Sequence, residues 1–387
     1  MSDDVERVIR ALPRLERYVE TAADNTTTLE RAGGELRGAN PWHGSSTGNN
    51  FAVDPDQDQW FCHSQGCKAG GGILEYIAVD EGIVGCGETA DLSADFPEVL
   101  EIAAEKAGVD LDMDAQDRQD IKQRREEREK LDDAYAEAAD LYHRQLDATL
   151  PRPDGEGVLS VREWLHEVYG LTDDCIDDAM IGFAPPDGTA LKRFVSASET
   201  TLLKAGLAVD TADGIKDFFD GRIVFPYFEH GTPRFFIGRK TPLTPDEPWE
   251  GGKYRKLPTA DNHDAVSEQV DEPIYGRDGV RSASALIVTE GVTDVLAAQQ
   301  YGYAAIAPVT TTFKASKARD VARLVSGKDV AVIMDEDADS GAGLAGARKT
   351  AQTIRTCTGR ATDVGVARLP LDDGDLCDYL RENGGEL

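Results

Sequence analysis

The last hundred residues alternate short apolar runs with amphipathic runs, and this alternation restricts the chain to few folds. From residue 284 onward, aliphatic and β-branched runs that suit buried strands are each followed by a segment with helical spacing. The successive segments are "SALIVTE", "GVTDVLAAQQYG", "AAIAPV", "KASKARDVARLV", "DVAVIMDED", "LAGARKTAQTIRT" and "ATDVGVARL". Such alternation indicates a parallel sheet with helices on its faces. We therefore predict an α/β domain over residues 284–387.

Three further segments precede this domain, and 387 residues are enough for several domains with their own cores. Residues 158–283 hold short strands and turns, with a hairpin predicted in "GRIVFPYFEHGTPRFFIGRK". Residues 111–157 are of mixed charge and end at "PRPDGEG", and we interpret them as a solvated linking helix. Residues 1–110 combine short helices with a strand-rich unit.

Acidic residues follow the strands of the α/β domain, at the edge where ligands of open α/β sheets collect. Glu290 ends the first strand, and Asp335 and Asp337 end "DVAVIMDED" on one face of that strand. Asp375 and Asp378 follow the last strand. Gathered carboxylates repel one another unless a hard cation, usually Mg²⁺, lies between them. A single Asp here more often caps a helix, but the acids together favour a metal site.

Several segments resemble those of known families in the same order along the chain. "IVTEGVTDVLAA" and "VIMDEDADSGAGLAGA" are similar to the TOPRIM domain. "IGFAPPDGTALKRF", "FFDGRIVFPYFEHGTPRFFIGRK" and "GGKYRKLP" resemble the catalytic core of DnaG-type primases. "LERAGGELRGANPWHGSSTGNNFAV" and "WFCHSQGCKAGGGILEYIAVDEG" resemble their CHC-type zinc ribbon, so that the resemblance covers about residues 5–85 and 158–387. The resemblance implies a TOPRIM parallel-sheet domain, an α+β primase-core subdomain and an N-terminal zinc-ribbon-like β unit.

The resemblance also implies roles for acidic residues of the α/β domain. Glu290, Asp335 and Asp337 match the catalytic acids of the family, which would hold Mg²⁺ or Mn²⁺. Asp294 and Asp375 match acids that support this site.

A group of basic and aromatic residues matches the nucleic-acid and nucleotide groove of the family or follows the same pattern: Arg222, Arg239, Lys253, Tyr254 and Lys256. Cations with aromatic neighbours suit phosphate contact combined with base stacking. A hairpin with paired surface charges is the alternative interpretation.

Three positions depart from the family pattern. Val168 and Tyr169 stand where the family has a Lys or Arg, and Cys377 replaces an acid or Asn. The Lys expected before "YG" is absent from "HDAVSEQVDEPIYG". These departures concern template or nucleotide binding more than the metal-site acids.

Three residues match the zinc ligands of the family's ribbon: His43, Cys62 and Cys67. Asn40 stands in place of the first Cys, and Asn is a poor ligand for structural zinc, which is nearly always held by four Cys or His residues. His63 could supply the fourth ligand, and Cys86 is a more distant candidate. Bound Zn²⁺ is our prediction, and a ribbon that folds without metal is the alternative.

The net charge of −31 would ordinarily argue against a nucleic-acid partner, because phosphates repel an acidic surface. Here the acids are spread over every segment, which favours adaptation to molar salt, where the repulsion is screened. No apolar run approaches the ~18–20 residues that span a bilayer, and the N-terminus has no signal-peptide pattern, so we expect a cytoplasmic protein.

We therefore predict a DnaG-like DNA primase that binds single-stranded DNA and NTPs and synthesises short RNA primers, with a separate replicative helicase as partner. One alternative is another TOPRIM enzyme. A topoisomerase needs a nucleophilic Tyr on an additional domain, and the phosphate-binding loop of ATP-coupled nucleases is absent from the sequence. The second alternative is a non-catalytic single-stranded-DNA-binding accessory protein of replication.

Overall fold

The computed structural model describes the chain in segments: residues 2–21, 28–42, 48–63, 69–88, 95–112, 115–152, 155–229, 231–246, 252–280, 283–309, 312–314, 317–325, 328–337, 341–358 and 362–387. These segments form two compact units. Unit 1 comprises residues 1–125 with 281–284, and unit 2 comprises residues 126–280 with 285–387. Among the described residues, no helix combines the length and apolar content needed to cross a membrane.

Unit 1 is built on a five-stranded antiparallel sheet in which each strand pairs with the next along the chain. Its strands are β1 (Glu30–Ala32), β2 (Glu35–Gly38), β3 (Phe51–Asp54), β4 (Gln59–Cys62) and β5 (Gly70–Gly71). Its helices are α1 (Ser2–Ala11), α2 (Leu15–Thr21), α3 (Ile73–Asp80) and α4 (Phe96–Ala107), with a 3₁₀ turn at Cys86–Glu88. Phe51, Trp60 and Tyr76 are fully buried, and their rings pack against one another in the core.

Helix α5 (Ala115–His143) continues from unit 1 into unit 2. Leu131, Tyr135, Ala138 and Leu141 on one side of this helix are buried, and Tyr135 donates a hydrogen bond of 2.9 Å to the carbonyl of Ala205. Gly182 allows the backbone of the helix to approach closely, since a Cβ there would lie 2.3 Å from the carbonyl carbon of Tyr142. The expectation of a solvated linker is therefore wrong for the second half of α5, which forms part of the core of unit 2.

The first part of unit 2 contains a four-stranded antiparallel sheet with small hairpins and short helices. The strands of this part of the unit are β6 (Thr149–Pro151), β7 (Val158–Ser160), β8 (Gly182–Phe183), β9 (Ala208–Thr211), β10 (Gly214–Asp217), β11 (Arg222–Glu229), β12 (Thr232–Lys240) and β13 (Tyr254–Lys256). Its helices are α6 (Val161–Tyr169), α7 (Asp173–Asp178), α8 (Ala190–Phe194) and α9 (Glu199–Lys204). The sheet order is β13-β12-β11-β8, and the pairing of β11 with β12 confirms the predicted hairpin.

The second part of unit 2 alternates strands with helices as predicted. Its elements are β14 (Ala285–Val288), α10 (Val292–Gln300), β15 (Ala305–Ile306), α11 (Ala318–Val325), β16 (Asp329–Val332), β17 (Glu336–Asp337), α12 (Ala342–Thr358), β18 (Asp363–Val366), β19 (Asp373–Gly374) and α13 (Leu376–Glu382). Strands β15, β14, β16 and β18 form a parallel sheet in that order. The fold is therefore mixed α/β with a parallel sheet, in agreement with the expected fold class.

Candidate active site at the carboxyl edge of the parallel sheet

The register of the parallel sheet brings the ends of its strands to one edge. Val288 pairs with both Ile306 and Val332, and Val332 pairs in turn with Val366. Glu290, which follows β14, and Asp335, which follows β16, therefore lie at the same edge of the sheet. This edge is where the sequence predicted a group of acids, and open α/β sheets bind their ligands there.

Asp294 connects the turn after β14 to the start of α13. Its side chain is buried in the first turn of α10, and its Oδ2 accepts a hydrogen bond of 3.1 Å from the amide of Gly291. Its Oδ1 accepts a bond of 3.1 Å from the amide of Cys377. Asp375 caps α13 by accepting a bond of 2.8 Å from the amide of Asp378. The two predicted supporting acids thus hold the backbone of the segments that carry the site.

The acids of this edge influence one another electrostatically. Burial and then repulsion from Glu290 and Asp375 raise the pKa of Asp335 to about 7. Burial, followed by repulsion from Asp375 and Asp335, raises the pKa of Asp294 well above its ordinary value. Burial also raises the pKa values of Glu290 and Asp375. Four of the predicted acids therefore share one region of negative potential, in which added positive charge is favourable.

Lys253 is one of the cations that the structure brings to these acids, and Arg381 also acts to lower the pKa of Asp375. The positive charge of Lys253 acts to lower the pKa values of both Asp335 and Asp375. The Lys253 side chain is exposed, with its ammonium 5.6 Å from the centre of the Tyr254 ring. The Tyr254 hydroxyl in turn hydrogen-bonds that of Tyr169 at 3.1 Å. A residue predicted to bind nucleotides therefore lies beside the predicted catalytic acids.

The two arginines predicted for the groove occupy different environments. The guanidinium of Arg239 packs 4.6 Å from the ring centre of Trp164 and 5.4 Å from that of Tyr169. Arg222 is fully buried, and its Nη1 donates to the carbonyls of Gly238 and Gly252. Because Arg222 has no accessible surface, its prediction as a nucleic-acid-binding residue is wrong, and it serves instead to hold the backbone around β12.

The side chain of Asp337 lies outside the described residues, whereas its backbone forms part of β17. That backbone pairs with Asp373 between β17 and β19, two residues from Asp375. Gly343, near the start of α12, has a packing role. A Cβ at Gly343 would lie 1.8 Å from the carbonyl oxygen of Asp335, so α12 can begin here only with a glycine against the acid-bearing segment.

The donor chemistry of this edge suits a magnesium ion. Mg²⁺ is bound by oxygen ligands, usually one or two carboxylates together with waters and substrate phosphates. Within the described part of the chain, no three Asp, Glu, His or Cys side chains surround one ion-sized position. The carboxylate of Glu290 is nevertheless close enough to Asp335 for its charge to raise the pKa of Asp335. This pair fits a cation that completes its shell with water and substrate.

The predicted zinc site of unit 1 is only partly described, because His43 and Cys67 lie outside the described residues. Asn40 and Cys86 are buried, and the Asn40 amide donates a bond of 3.3 Å to the Cys86 sulfur. The Asn40 Oδ1 accepts a bond of 2.9 Å from the amide of Trp42. Cys62 is also buried, whereas His63 is exposed. Of the two candidates for a fourth ligand, Cys86 is therefore the one that lies against Asn40.

The sequence reasoning did not single out Glu272 or Lys314. Glu272 is buried and forms ion pairs with Lys256 and Lys314. Lys314 follows β15 in "TTTFKASK", and the rule that ligands meet the carboxyl ends of parallel strands would have identified it as a candidate. No local pattern marks Glu272, because its importance comes from lysines distant in sequence.

No protein-family model matches the chain. The DNA primase of Halalkalibacterium halodurans is 28% identical over 393 residues, which cover 99% of this chain and 57% of that protein. The DNA primase of Deinococcus radiodurans is 29% identical over 322 residues, which cover 80% of this chain and 48% of that protein. The chain thus spans about half the length of these curated relatives.

The similar solved structures are also structures of primases. A DnaG primase catalytic domain bound to single-stranded DNA is 27% identical with a TM-score of 0.53, covering 67% of this chain and 77% of its own. The zinc-binding and RNA polymerase domains of the Aquifex aeolicus primase are 20% identical with a TM-score of 0.52. That likeness in fold covers 99% of this chain and 83% of the Aquifex chain. Relatives and structures together support the predicted resemblance to the DnaG-type primase family.

Proposed function

We propose that this chain synthesises short RNA primers on single-stranded DNA by metal-dependent nucleotidyl transfer. The observation that carries the proposal is the group of acids at the carboxyl edge of the parallel sheet, with Lys253 beside Asp335 and Asp375. Names and structures of the relatives support the same activity.

Each acid is assigned a part in this activity. Glu290, Asp335 and Asp337 would hold the divalent ions, Mg²⁺ or Mn²⁺. When bound, such ions stabilise the charge that develops on the attacking and leaving oxygens. Asp294 and Asp375 act on the backbone, because their carboxylates accept hydrogen bonds from amides of the turns that carry the site. They would keep the metal-binding acids at fixed positions.

The basic residues are assigned to the substrates. The exposed ammonium of Lys253 would contact the phosphates of an incoming NTP, since it lies where the metal-binding acids need a compensating positive charge. Arg239 and Tyr254 would contact the template or the nucleotide. Both are half-buried and belong to one aromatic group with Trp164 and Tyr169.

Unit 1 is proposed to bind the template and a structural Zn²⁺. Buried cysteines and a small antiparallel sheet support this assignment, as does the likeness in fold to a primase with a zinc-binding domain. A halophilic surface, a cytoplasmic location and a separate replicative helicase as partner belong to the same proposal. The acids dispersed along the chain support the first of these.

One observation favours a second candidate, a non-catalytic single-stranded-DNA-binding accessory protein. Cys377, which replaces an acid or Asn of the family pattern, is buried, and its thiol lies 3.4 Å from the carbonyl oxygen of Tyr169. This position therefore adds no carboxylate to the group of acids.

Incorporation of labelled NTPs on single-stranded DNA separates the two candidates. We expect short labelled products at molar KCl with Mg²⁺ or Mn²⁺, and none when the metal is chelated. Asp335→Asn should remove the products while template binding is kept. Binding of single-stranded DNA without any metal-dependent product would refute the enzyme and favour the accessory protein.

A further inference from the structure

Two lysines of unit 2 share one buried carboxylate. Glu272 is 3% exposed, and its Oε1 contacts the ammonium groups of both Lys256 and Lys314. The Lys314 contact measures 3.3 Å. Lys256 ends β13 in the antiparallel part of the unit, whereas Lys314 follows β15 of the parallel sheet. The ion triad therefore joins two segments that are far apart in sequence.

The triad carries a net positive charge. One carboxylate neutralises only one of the two lysines, and both side chains keep about a third of their surface exposed, 35% for Lys256 and 34% for Lys314. Asp261 lies 3.7 Å from Lys314, but its side chain is 85% exposed, so water screens this contact strongly. The neighbouring Lys317 adds no positive charge to the triad, because it pairs with two acids, Asp271 and Asp320, and these three side chains together carry a charge of −1.

The triad lies beside the candidate active site. Lys256 is two residues from Tyr254 on the same face of β13. The buried Tyr227 is affected by both Tyr254 and Glu272, since each charge adds to the effect of burial in raising the pKa of its hydroxyl. Lys253 immediately precedes Tyr254 and influences the acids directly. Lys253 and Lys256 are thus three residues apart in one segment of the chain, and Glu272 joins Lys256 to Lys314.

We infer that Lys256 and Lys314, held together by Glu272, bind a backbone phosphate of single-stranded nucleic acid next to the catalytic acids. The inference rests on the proposed function and identifies a further part of its nucleic-acid-binding surface. Lysine is an effective point charge for phosphate, and a phosphate between two ammonium groups offsets the positive charge that Glu272 leaves. Residues 262–274 contain no Lys or Arg, so Lys314 provides the cation beside that stretch.

Glu272 has a positioning role in this arrangement. Both ammonium groups contact the same oxygen of Glu272. Without this carboxylate the two positive charges would repel each other, and the lysine side chains would turn toward water. The buried carboxylate needs both partners for the same reason, because an unpaired buried charge is strongly destabilising. The pair of cations is therefore in place before a phosphate arrives.

The test is the salt dependence of binding to a fluorescent oligothymidylate, measured over KCl concentrations at which circular dichroism reports a folded protein. Each phosphate contact contributes about 0.7 to the slope of log K against log salt for single strands. We expect Lys314→Gln to reduce the magnitude of the slope by about 0.7 and Lys314→Arg to keep the wild-type slope. Lys192→Gln is the matched control, since Lys192 of α8 pairs with Glu199 of α9 and has no contact with Glu272 among the ion pairs of the described residues.

Each outcome decides one question. A Lys314→Gln slope equal to that of the wild type and the control overturns the phosphate site. A wild-type protein that does not bind the oligonucleotide overturns the proposed function itself. If Lys314→Gln does not fold, Lys256→Gln takes its place, with the same reduction in slope expected and with an unchanged slope as the contrary result.

Discussion

Replacing Asp335 with asparagine tests the acid group most directly. Asparagine keeps the size and hydrogen-bonding capacity of the side chain but removes its charge. In metal-free protein, burial and the charges of Glu290 and Asp375 raise the pKa of Asp335 to about 7. The ionised carboxylate therefore lowers the free energy of unfolding above neutral pH, and Asp335→Asn should restore that stability.

The expected gain in the free energy of unfolding follows from the pKa values of Asp335 in the folded and the unfolded protein. The difference between about 7 in the folded protein and the ordinary value of 3.8 corresponds to roughly 4 kcal/mol, at about 1.36 kcal/mol per tenfold change in proton affinity. Although its surroundings remove part of its hydration, the Asp335 side chain still keeps much of its surface in contact with solvent, so screening reduces this value and we expect about 1–2 kcal/mol. The folded state binds the proton more tightly, so the wild type loses this stability as pH rises from about 4 to about 7.

The assay is denaturant unfolding at pH 8 and high KCl, with and without Mg²⁺. Without metal, Asp335→Asn should be the more stable protein, and near pH 4 the difference should disappear. Added Mg²⁺ should stabilise the wild type by binding its folded state and should have little effect on the variant. Primer synthesis by the variant should fall by more than ~100-fold, because the metal supplies several kcal/mol of transition-state stabilisation.

Asp329→Asn is the control, because Asp329 is an exposed acid at the opposite end of the same strand. It should leave both the Mg²⁺ response and the synthesis unchanged. If Asp335→Asn matches the wild type in stability and synthesises primers at a near wild-type rate, the acids are surface charge of a halophilic protein and the catalytic assignment is wrong.

Four further results are expected. Elemental analysis should find about one zinc per chain, with Cys86→Ala losing more zinc than His63→Ala; folded protein without metal would contradict this. Circular dichroism should show unfolding in dilute buffer, because carboxylates then repel one another, and equal stability in dilute buffer and molar KCl would contradict the halophilic surface. Lys253→Ala should weaken nucleotide or template binding in titrations while Mg²⁺ affinity stays unchanged, and a loss of Mg²⁺ affinity would contradict its assignment. Gly343→Ala should lower the free energy of unfolding by about 1–3 kcal/mol, since its Cβ would meet a carbonyl oxygen at 1.8 Å, whereas Gly346→Ala in the same helix meets nothing within 4 Å and should be tolerated.

Local pattern was sufficient for the parallel sheet and for the hairpin of β11 and β12. Strands buried on both faces need continuous apolar runs, and helices that cover them need apolar residues at helical spacing, so both requirements are visible within a short window. The position of acids after such strands also followed from sequence, because parallel strands end at one edge of their sheet. Glu290 and Asp335 could therefore be assigned to the same edge of the sheet from the sequence alone.

Burial and long-range pairing of polar groups depended on the tertiary structure. A cation in an amphipathic strand has the same local pattern whether it faces solvent or the interior, and Arg222 is buried because the carbonyls of Gly238 and Gly252 lie within reach. The ion pair of Lys314 with Glu272 likewise joins segments without a common pattern. The spacing of apolar residues along the sequence is enough to predict which face of a helix or strand is buried. A charged side chain, in contrast, is stabilised by a partner that can be distant in sequence, and only the tertiary structure determines which partner that is.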